Sequence, residues 1–323
     1  MGKVYVGKIV STHGIKGEVK ILSDFEYKDK VFKVGKNLIV DDEIYEIKSY
    51  RHHKNFEMVT LNDYKDINEV LFLMKKKVYK YSDFSDDFFD DGKPHRLPQD
   101  YKWIKTDFLS KLKSGFVYSL AVIFGTVYCR LFLRMRVKNA RVLRRCKTGF
   151  FLYGNHTQPV GDVFIPALCC FPKRIYTVVS PANFDIPFIG KILFPLGALP
   201  IPNSLKGMKE FGNALQQRVS ERHPVIIYPE AHVWPYYTGI RPYPSGSFKY
   251  PEKYGVPAFC MTTTYQKPRF GSKPKMTVYI DGPFVGCGEN SKEKAENLKN
   301  VIYECMLKNS EMSNCEYIKY ESR

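Results

Sequence analysis

Short stretches of alternating apolar and polar residues open the chain. Val4-Tyr5-Val6-Gly7-Lys8-Ile9-Val10 and Glu18-Val19-Lys20-Ile21-Leu22 alternate with period two, and Ser11-Thr12-His13-Gly14-Ile15-Lys16-Gly17 between them reads as a turn. Gly14 and Gly17 are turn glycines able to accept positive φ. Leu38-Ile39-Val40 and Ile44-Tyr45-Glu46-Ile47, separated by Asp41-Asp42, read as a hairpin, and 56–61 as a further strand. Apolar spacing over 66–74 predicts a short helix. Short strands at this rhythm predict a small β-barrel over residues 1–81.

A different rhythm occupies the second half. Apolar runs at 150–153, 175–179, 225–228, 258–261 and 276–280 read as strands with helical patterns between them. Ser204 is placed to cap a helix whose Leu205, Met208, Phe211, Leu215 and Val219 recur at helical spacing. Asn290 and Glu293 form a capping-box pattern ahead of a stripe of Ala295, Leu298, Ile302, Cys305 and Met306. Both stripes are expected to face a core. This alternation predicts an α/β layered domain over residues 101–323, with loops at the strand ends forming its site. Between the two patterns, residues 82–100 read as a linker: five aspartates and no lysine or arginine fall within 82–91, followed by Gly92-Lys93-Pro94.

Composition adds two constraints. A length of 323 residues suggests two domains. The net charge of +17 is uneven: 16 basic against 12 acidic residues over 1–81, but 12 basic and only Asp107 acidic over 101–147. Such a block binds something anionic, a phospholipid surface or nucleic acid. It encloses 115–129, fifteen residues without a charge, before Arg130. A bilayer span needs about 20 apolar residues. A monotopic helix lying in the interface is therefore the first expectation, a true span the second and a buried core helix the third. Tyr101 and Trp103, just ahead, are aromatic types common at membrane interfaces. Eight cysteines without a Cys-x-x-Cys read as reduced, mostly buried thiols in a cytosolic setting. His156, His223 and His232 match no ordinary zinc spacing, so no metal is expected.

The candidate chemistry sits at Gly154-Asn155-His156-Thr157-Gln158-Pro159-Val160-Gly161-Asp162, where the run 149–153 ends in a polar turn. A histidine and an aspartate this close can form a general-base pair, the carboxylate fixing the imidazole tautomer while the other ring nitrogen takes a proton from a hydroxyl. They can equally make a simple turn hydrogen bond.

Two resemblances sharpen the reading. Residues 6–19 closely resemble the opening of the RimM-type ribosome maturation factors, and the likeness runs to about Tyr81 without the second, PRC-type barrel of that family. It implies a non-enzymatic module, a possible partner in the small ribosomal subunit, and His13 as a turn residue. Farther on, Asn155-His156 with Asp162, Pro195-Leu196-Gly197-Ala198-Leu199-Pro200-Ile201, Ile227-Tyr228-Pro229-Glu230-Ala231 and Val256-Pro257-Ala258 follow in one order. Together they look like the four blocks of the PlsC-type glycerophospholipid acyltransferases, over about 101–285.

That second resemblance implies acyl transfer to a lysophospholipid-like hydroxyl, in phospholipid biosynthesis. The donor would be a thioester of acyl carrier protein or coenzyme A, with no further cofactor and no covalent enzyme intermediate. It would act at the cytoplasmic face of a membrane, held peripherally or monotopically on membrane lipids. His156 would be the base and Asp162 its orienting partner, with Asn155, Gly197 and Glu230 in the substrate site. The chain departs from the family at three points. Five residues separate His156 from Asp162 where four are usual, Asn203 stands where an arginine would bind the acceptor phosphate, and Ala231-His232 replace Gly and Thr. Lys206, Arg241 or Lys249 would then have to hold a phosphate. The loop 234–244, rich in aromatics and prolines, reads as a lid or as a rigid surface loop. The alternative function is a ribosome-associated protein whose acyltransferase half is inactive.

Overall fold

The computed structural model describes residues 2–82, 97–98, 101–104, 107–186 and 188–322. Most of the acidic stretch 82–100 therefore lies outside the described residues. The chain forms two compact units, Met1–Asp90 with Tyr317–Arg323, and Asp91–Glu316. The second boundary differs from the expected 101–323, because the last residues of the chain join the first unit.

The first unit is one antiparallel sheet of β1 (Gly2–His13), β2 (Glu18–Leu22), β3 (Asn37–Val40), β4 (Glu43–His53), β5 (Phe56–Leu61), β6 (Lys77–Ser82) and β14 (Tyr320–Ser322). Its order is β14-β1-β2-β5-β4-β3-β6, and β6 also pairs with β1, so six strands close on themselves. Alternation drives this arrangement: Val4, Val6, Ile9, Val19, Ile21, Val59 and Leu61 are all buried inside. β1 runs farther than its pattern predicted. Ser11, Thr12 and His13 pair with Lys20, Val19 and Glu18, so His13 is the last strand residue and the turn is confined to 14–17. Gly14 and Gly17 have φ of 64° and 71°, as that turn requires. A four-residue helix, α1 (Lys28–Val31), follows β2. The expected short helix is a 3-10 helix, Ile67–Leu73, with Asp66 and Glu69 forming a capping box.

The second unit is a seven-stranded sheet of β7 (Arg136–Lys138), β8 (Phe150–Gly154), β9 (Tyr176–Val179), β10 (Ala198–Pro200), β11 (Pro224–Ile227), β12 (Ala258–Gln266) and β13 (Lys275–Phe284), in the order β10-β9-β11-β8-β12-β13-β7. The five strands from β10 to β12 are parallel, and β13 turns back antiparallel to β12. Parallel strands are covered on both faces, which is why β8 reads as an unbroken apolar run and is buried throughout. The helices are α2 (Phe108–Val127), α3 (Arg141–Arg145), α4 (Gly161–Cys170), α5 (Ile189–Leu196), α6 (Leu205–Ser220), α7 (Lys249–Tyr254) and α8 (Ser291–Ser310). Phe151, Tyr153, Val225, Ile227 and Ala258 share one core with Phe211, Leu215 and Val219 of α6 and Leu298, Ile302 and Met306 of α8. Phe150 belongs to the opposite face, where its ring meets Phe259 edge-on at 4.9 Å.

Ser204 and Asn290 cap α6 and α8 as expected, each side chain accepting a bond from a first-turn backbone N–H. The α6 stripe is only partly core-facing: Leu205 and Met208, its first two members, are exposed. Of the eight cysteines, all free, Cys129, Cys169, Cys170 and Cys260 are buried and Cys287 is exposed.

Helix α2 continues as a π-helical turn, Tyr128–Phe132, giving 25 residues that are long and apolar enough to cross a membrane by length and composition. It is not a buried core helix, since Phe116, Leu120, Ile123, Phe124, Leu131 and Phe132 are all exposed. One side does pack. Ser114 Oγ donates to Pro195 O (2.8 Å), Tyr118 Oη accepts from Ile175 N (3.1 Å), and a Cβ on Gly125 would stand 2.7 Å from the Phe164 ring of α4. Trp103 does not lie at an interface. It is buried, and its Nε1 donates to Pro200 O at 2.9 Å, fixing the segment before α2 against β10.

Candidate active site

Strand β8 delivers Asn155 and His156 to the C-terminal edge of the parallel strands, the edge where ligands collect in open α/β sheets. Helix α4 begins at Gly161 and returns Asp162 in its first turn. His156 Nδ1 and Asp162 Oδ2 are 2.7 Å apart. The five-residue spacing is accommodated because Asp162 Oδ2 also accepts from Gln158 N (2.9 Å), closing a tight polar loop. A carboxylate oxygen only accepts, so Nδ1 carries the proton and the lone pair is on Nε2. No described residue hydrogen-bonds Nε2, and the His156 side chain is 20% exposed. The imidazole therefore keeps its basic nitrogen without a hydrogen-bond partner among the described residues.

The cradle beneath this pair is extensive. The His156 ring stacks on Tyr228 at 4.4 Å, and Tyr228 Oη donates to Asp162 O at 2.8 Å. Burial pushes the Tyr228 phenol well above its ordinary range, so it stays a donor. Thr157 Oγ1 and Gln158 Nε2 both meet Tyr265 Oη, at 2.8 and 3.1 Å, and that hydroxyl donates to Thr157 O at 3.2 Å. Gln158, Tyr228 and Tyr265 were not among the expected site residues. Tyr265 carries no local signal at all, being 107 positions from Gln158.

The other expected site residues divide by position. Asn155 is 1% exposed and tied to β12: its Nδ2 donates to Thr263 O (3.0 Å) and its Oδ1 accepts from Thr263 N (2.7 Å). Glu230, just past β11, accepts from His156 N (3.0 Å) and Arg241 N (2.9 Å) and pairs with the Arg241 guanidinium at 3.2 Å. Both side chains are completely buried. Arg241 Nη2 also donates to His232 O, and the guanidinium lies 4.9 Å over the Trp234 ring. An arginine so enclosed has no face for an acceptor phosphate. Asn155, Glu230 and Arg241 are thus brought to His156 as supports beneath it. The aromatic loop is anchored rather than free along its length: Trp234, Tyr236, Ile240 and Tyr243 are buried, while Pro242 and Pro244 are exposed.

Gly197 is not brought to this cluster. It precedes β10, at the N-terminal edge of the parallel strands, while His156 follows the C-terminal end of β8. It caps α5 with φ of 94°, and a Cβ there would meet Ile175 O at 2.6 Å. Gly197→Ala is expected to cost on the order of 1–3 kcal/mol of stability through backbone strain, read as a lowered thermal midpoint; an unshifted midpoint would contradict the geometry. Lys206 is the second residue of α6 and Lys249 the first of α7; both are exposed. Lys206 follows the C-terminal end of β10 and so shares an edge with His156.

Comparison with known proteins finds likenesses to two families. Residues 134–263 match the family model described as Acyltransferase, and residues 4–85 match that of the RimM N-terminal domain. The ribosome maturation factor RimM of Ligilactobacillus salivarius (strain UCC118) is 45% identical over 91 residues, 27% of this chain and 54% of that protein. Its counterpart from Staphylococcus epidermidis (strain ATCC 12228 / FDA PCI 1200) is 39% identical over 88 residues, 26% and 53% respectively. This chain thus spans about half the length of the curated relatives it matches. Among solved structures, the 1-acyl-sn-glycerophosphate (LPA) acyltransferase PlsC from Thermotoga maritima is similar over 63% of this chain and 82% of that chain, with 16% identity and a TM-score of 0.46.

Proposed function

We propose that this chain, which joins a RimM N-terminal domain to an acyltransferase domain, moves a fatty acyl group from a thioester to the hydroxyl of a lysophospholipid-like acceptor at a membrane surface. The observation that carries this is the 2.7 Å bond from His156 Nδ1 to Asp162, which leaves the lone pair on Nε2. In the reaction, Nε2 takes the acceptor proton as the hydroxyl oxygen attacks the thioester carbonyl carbon. Asp162 stabilises the imidazolium. Collapse of the tetrahedral intermediate breaks the C–S bond, and the imidazolium returns its proton to the departing sulfur. The reaction needs no covalent enzyme intermediate, and burial pushes the Cys169 thiol up to about 12 and raises Cys260 well above the usual thiol range, so neither of these two is a ready nucleophile.

The apolar side of α2 supports an interfacial site. A helix packed on the domain from Ser114 to Gly125 can lie in the headgroup boundary with Phe116 and Ile123 in the acyl layer, but cannot cross the bilayer while keeping those contacts. Its C-terminal end approaches the base: a Cβ on Gly161 would stand 3.0 Å from Leu133 Cδ1, one residue from Asp162. The proposal sets this site at the cytoplasmic face. The deciding assay is thiol release from long-chain acyl-coenzyme A and acyl carrier protein thioesters, given lysophosphatidate, other lysophospholipids or no acceptor. Acceptor-dependent release is expected; none with any acceptor and either donor would refute the proposal.

A second reading concerns the first unit. Its match to the RimM domain, at 45% identity to a ribosome maturation factor, supports binding to the small ribosomal subunit through residues 1–81. Co-sedimentation with that subunit is expected to survive moderate salt. Binding lost with salt would report only the +17 charge and refute a specific site.

A further inference from the structure

Ten lysines and arginines, and no aspartate or glutamate, lie between Phe108 and Gly161. Five of them, Arg130, Arg134, Arg136, Lys138 and Arg144, line one groove of about 990 Å³ bounded by α2, β7, α3 and the end of α4. No acidic side chain lines it, and none of the five forms an ion pair with a described residue. Like charges gathered this way raise one another's free energy until an anion joins them. Two backbone irregularities present these side chains. Arg130 sits in the π-helical turn that ends α2, a kind of widening frequent at functional sites. Arg134 adopts φ of 47°, a left-handed conformation uncommon for a non-glycine residue.

We propose that this groove holds the phosphate of an anionic phospholipid headgroup. Arg136, Lys138 and Arg144 lie on β7 and α3, elements that contribute nothing to the His156 cluster. The groove's near wall is α2, and beside Arg130 the chain exposes Leu131 and Phe132, each 69% open. Charge for a phosphate next to open apolar side chains suits a lipid, whose acyl chains continue from its headgroup; nucleic-acid bases could stack on Phe132 but gain little from the aliphatic Leu120, Ile123 and Leu131 exposed on the same helix. The proposal rests on the interfacial placement of α2, not on the chemistry at His156.

The test uses the full chain with vesicles of phosphatidylcholine alone and of phosphatidylcholine mixed with phosphatidylglycerol. Each basic residue near an anionic surface is worth about fivefold in partition. R136A/K138A/R144A is therefore expected to lose on the order of 100-fold of the phosphatidylglycerol-dependent partition while keeping its binding to phosphatidylcholine. R136K/R144K, which keeps the charge, is expected to retain that partition. K253A/K292A/K308A removes the same charge from exposed positions on α7 and α8 and is expected to retain it too. Equal loss in both alanine triples would overturn the groove as a site, leaving only net charge. Displacement of the parent chain from anionic vesicles by single-stranded RNA, with the groove triple insensitive, would overturn the lipid as its ligand. Failure to bind phosphatidylcholine while the phosphatidylglycerol-dependent partition stays intact would sink the interfacial placement of α2 and with it this proposal. None of these readouts depends on turnover, so loss of acyl transfer in a His156 variant would leave them unmoved.

Discussion

Replacing His156 with alanine is expected to lower acceptor-dependent thiol release by about 10²–10⁴-fold, the span over which a positioned general base contributes. The residual rate comes from binding and orientation alone. Asp162→Asn is the informative companion. The amide oxygen can still accept from Gln158 N, so the 155–162 loop keeps its shape, while the imidazolium loses its counter-charge. Its loss is expected mainly in kcat with KM little changed, because the charge it stabilises appears only as the proton moves. A circular dichroism spectrum and thermal midpoint close to the parent's would assign the effect to chemistry. If His156→Ala retained more than half the parent rate, the dyad would not be the base.

Why the pair forms also explains what could be read from the chain and what could not. The burial of β8 was legible because an apolar run needs no partner to be recognised, and the α8 stripe because its caps and spacing are local. The distance between His156 and Asp162 was not. With one residue more than the usual spacing, the sequence allowed a bulge or no pairing at all. The loop's path is set by Asn155 against Thr263 and by Thr157 and Gln158 against Tyr265, contacts spanning 107 or 108 positions. Polarity misled in the same way. Arg241 and Glu230 look like surface ligands by residue type, yet they satisfy each other where neither meets solvent. Trp103 looks interfacial beside a basic helix, yet Pro200 O holds its indole inside. β14 is three residues long, too short for its pattern to predict pairing with a strand at the other end of the chain.

The same buried pair yields the largest expected effect on stability. Arg241→Met removes the cation that faces Glu230, leaving an enclosed carboxylate whose remaining donors among the described residues are the His156 and Arg241 backbone N–H groups. Breaking a buried ion pair from one side costs about 3–5 kcal/mol. For a unit this size that corresponds to a thermal midpoint lower by roughly 10 °C. E230Q/R241M is expected to recover a substantial part of the loss, since a neutral amide keeps an acceptor oxygen without an unpaired charge. A loss below about 1 kcal/mol in R241M would mean that water reaches the carboxylate. The pair also couples fold to chemistry. Glu230 Oε2 binds both the Arg241 guanidinium and His156 N, so the residue that closes the 230–241 loop is the one that fixes the backbone of the base. Turnover per folded molecule is therefore expected to fall in Glu230→Ala and to be partly retained in Glu230→Gln. Equal turnover in the two would mean that His156 is positioned by Asp162 and Tyr228 alone.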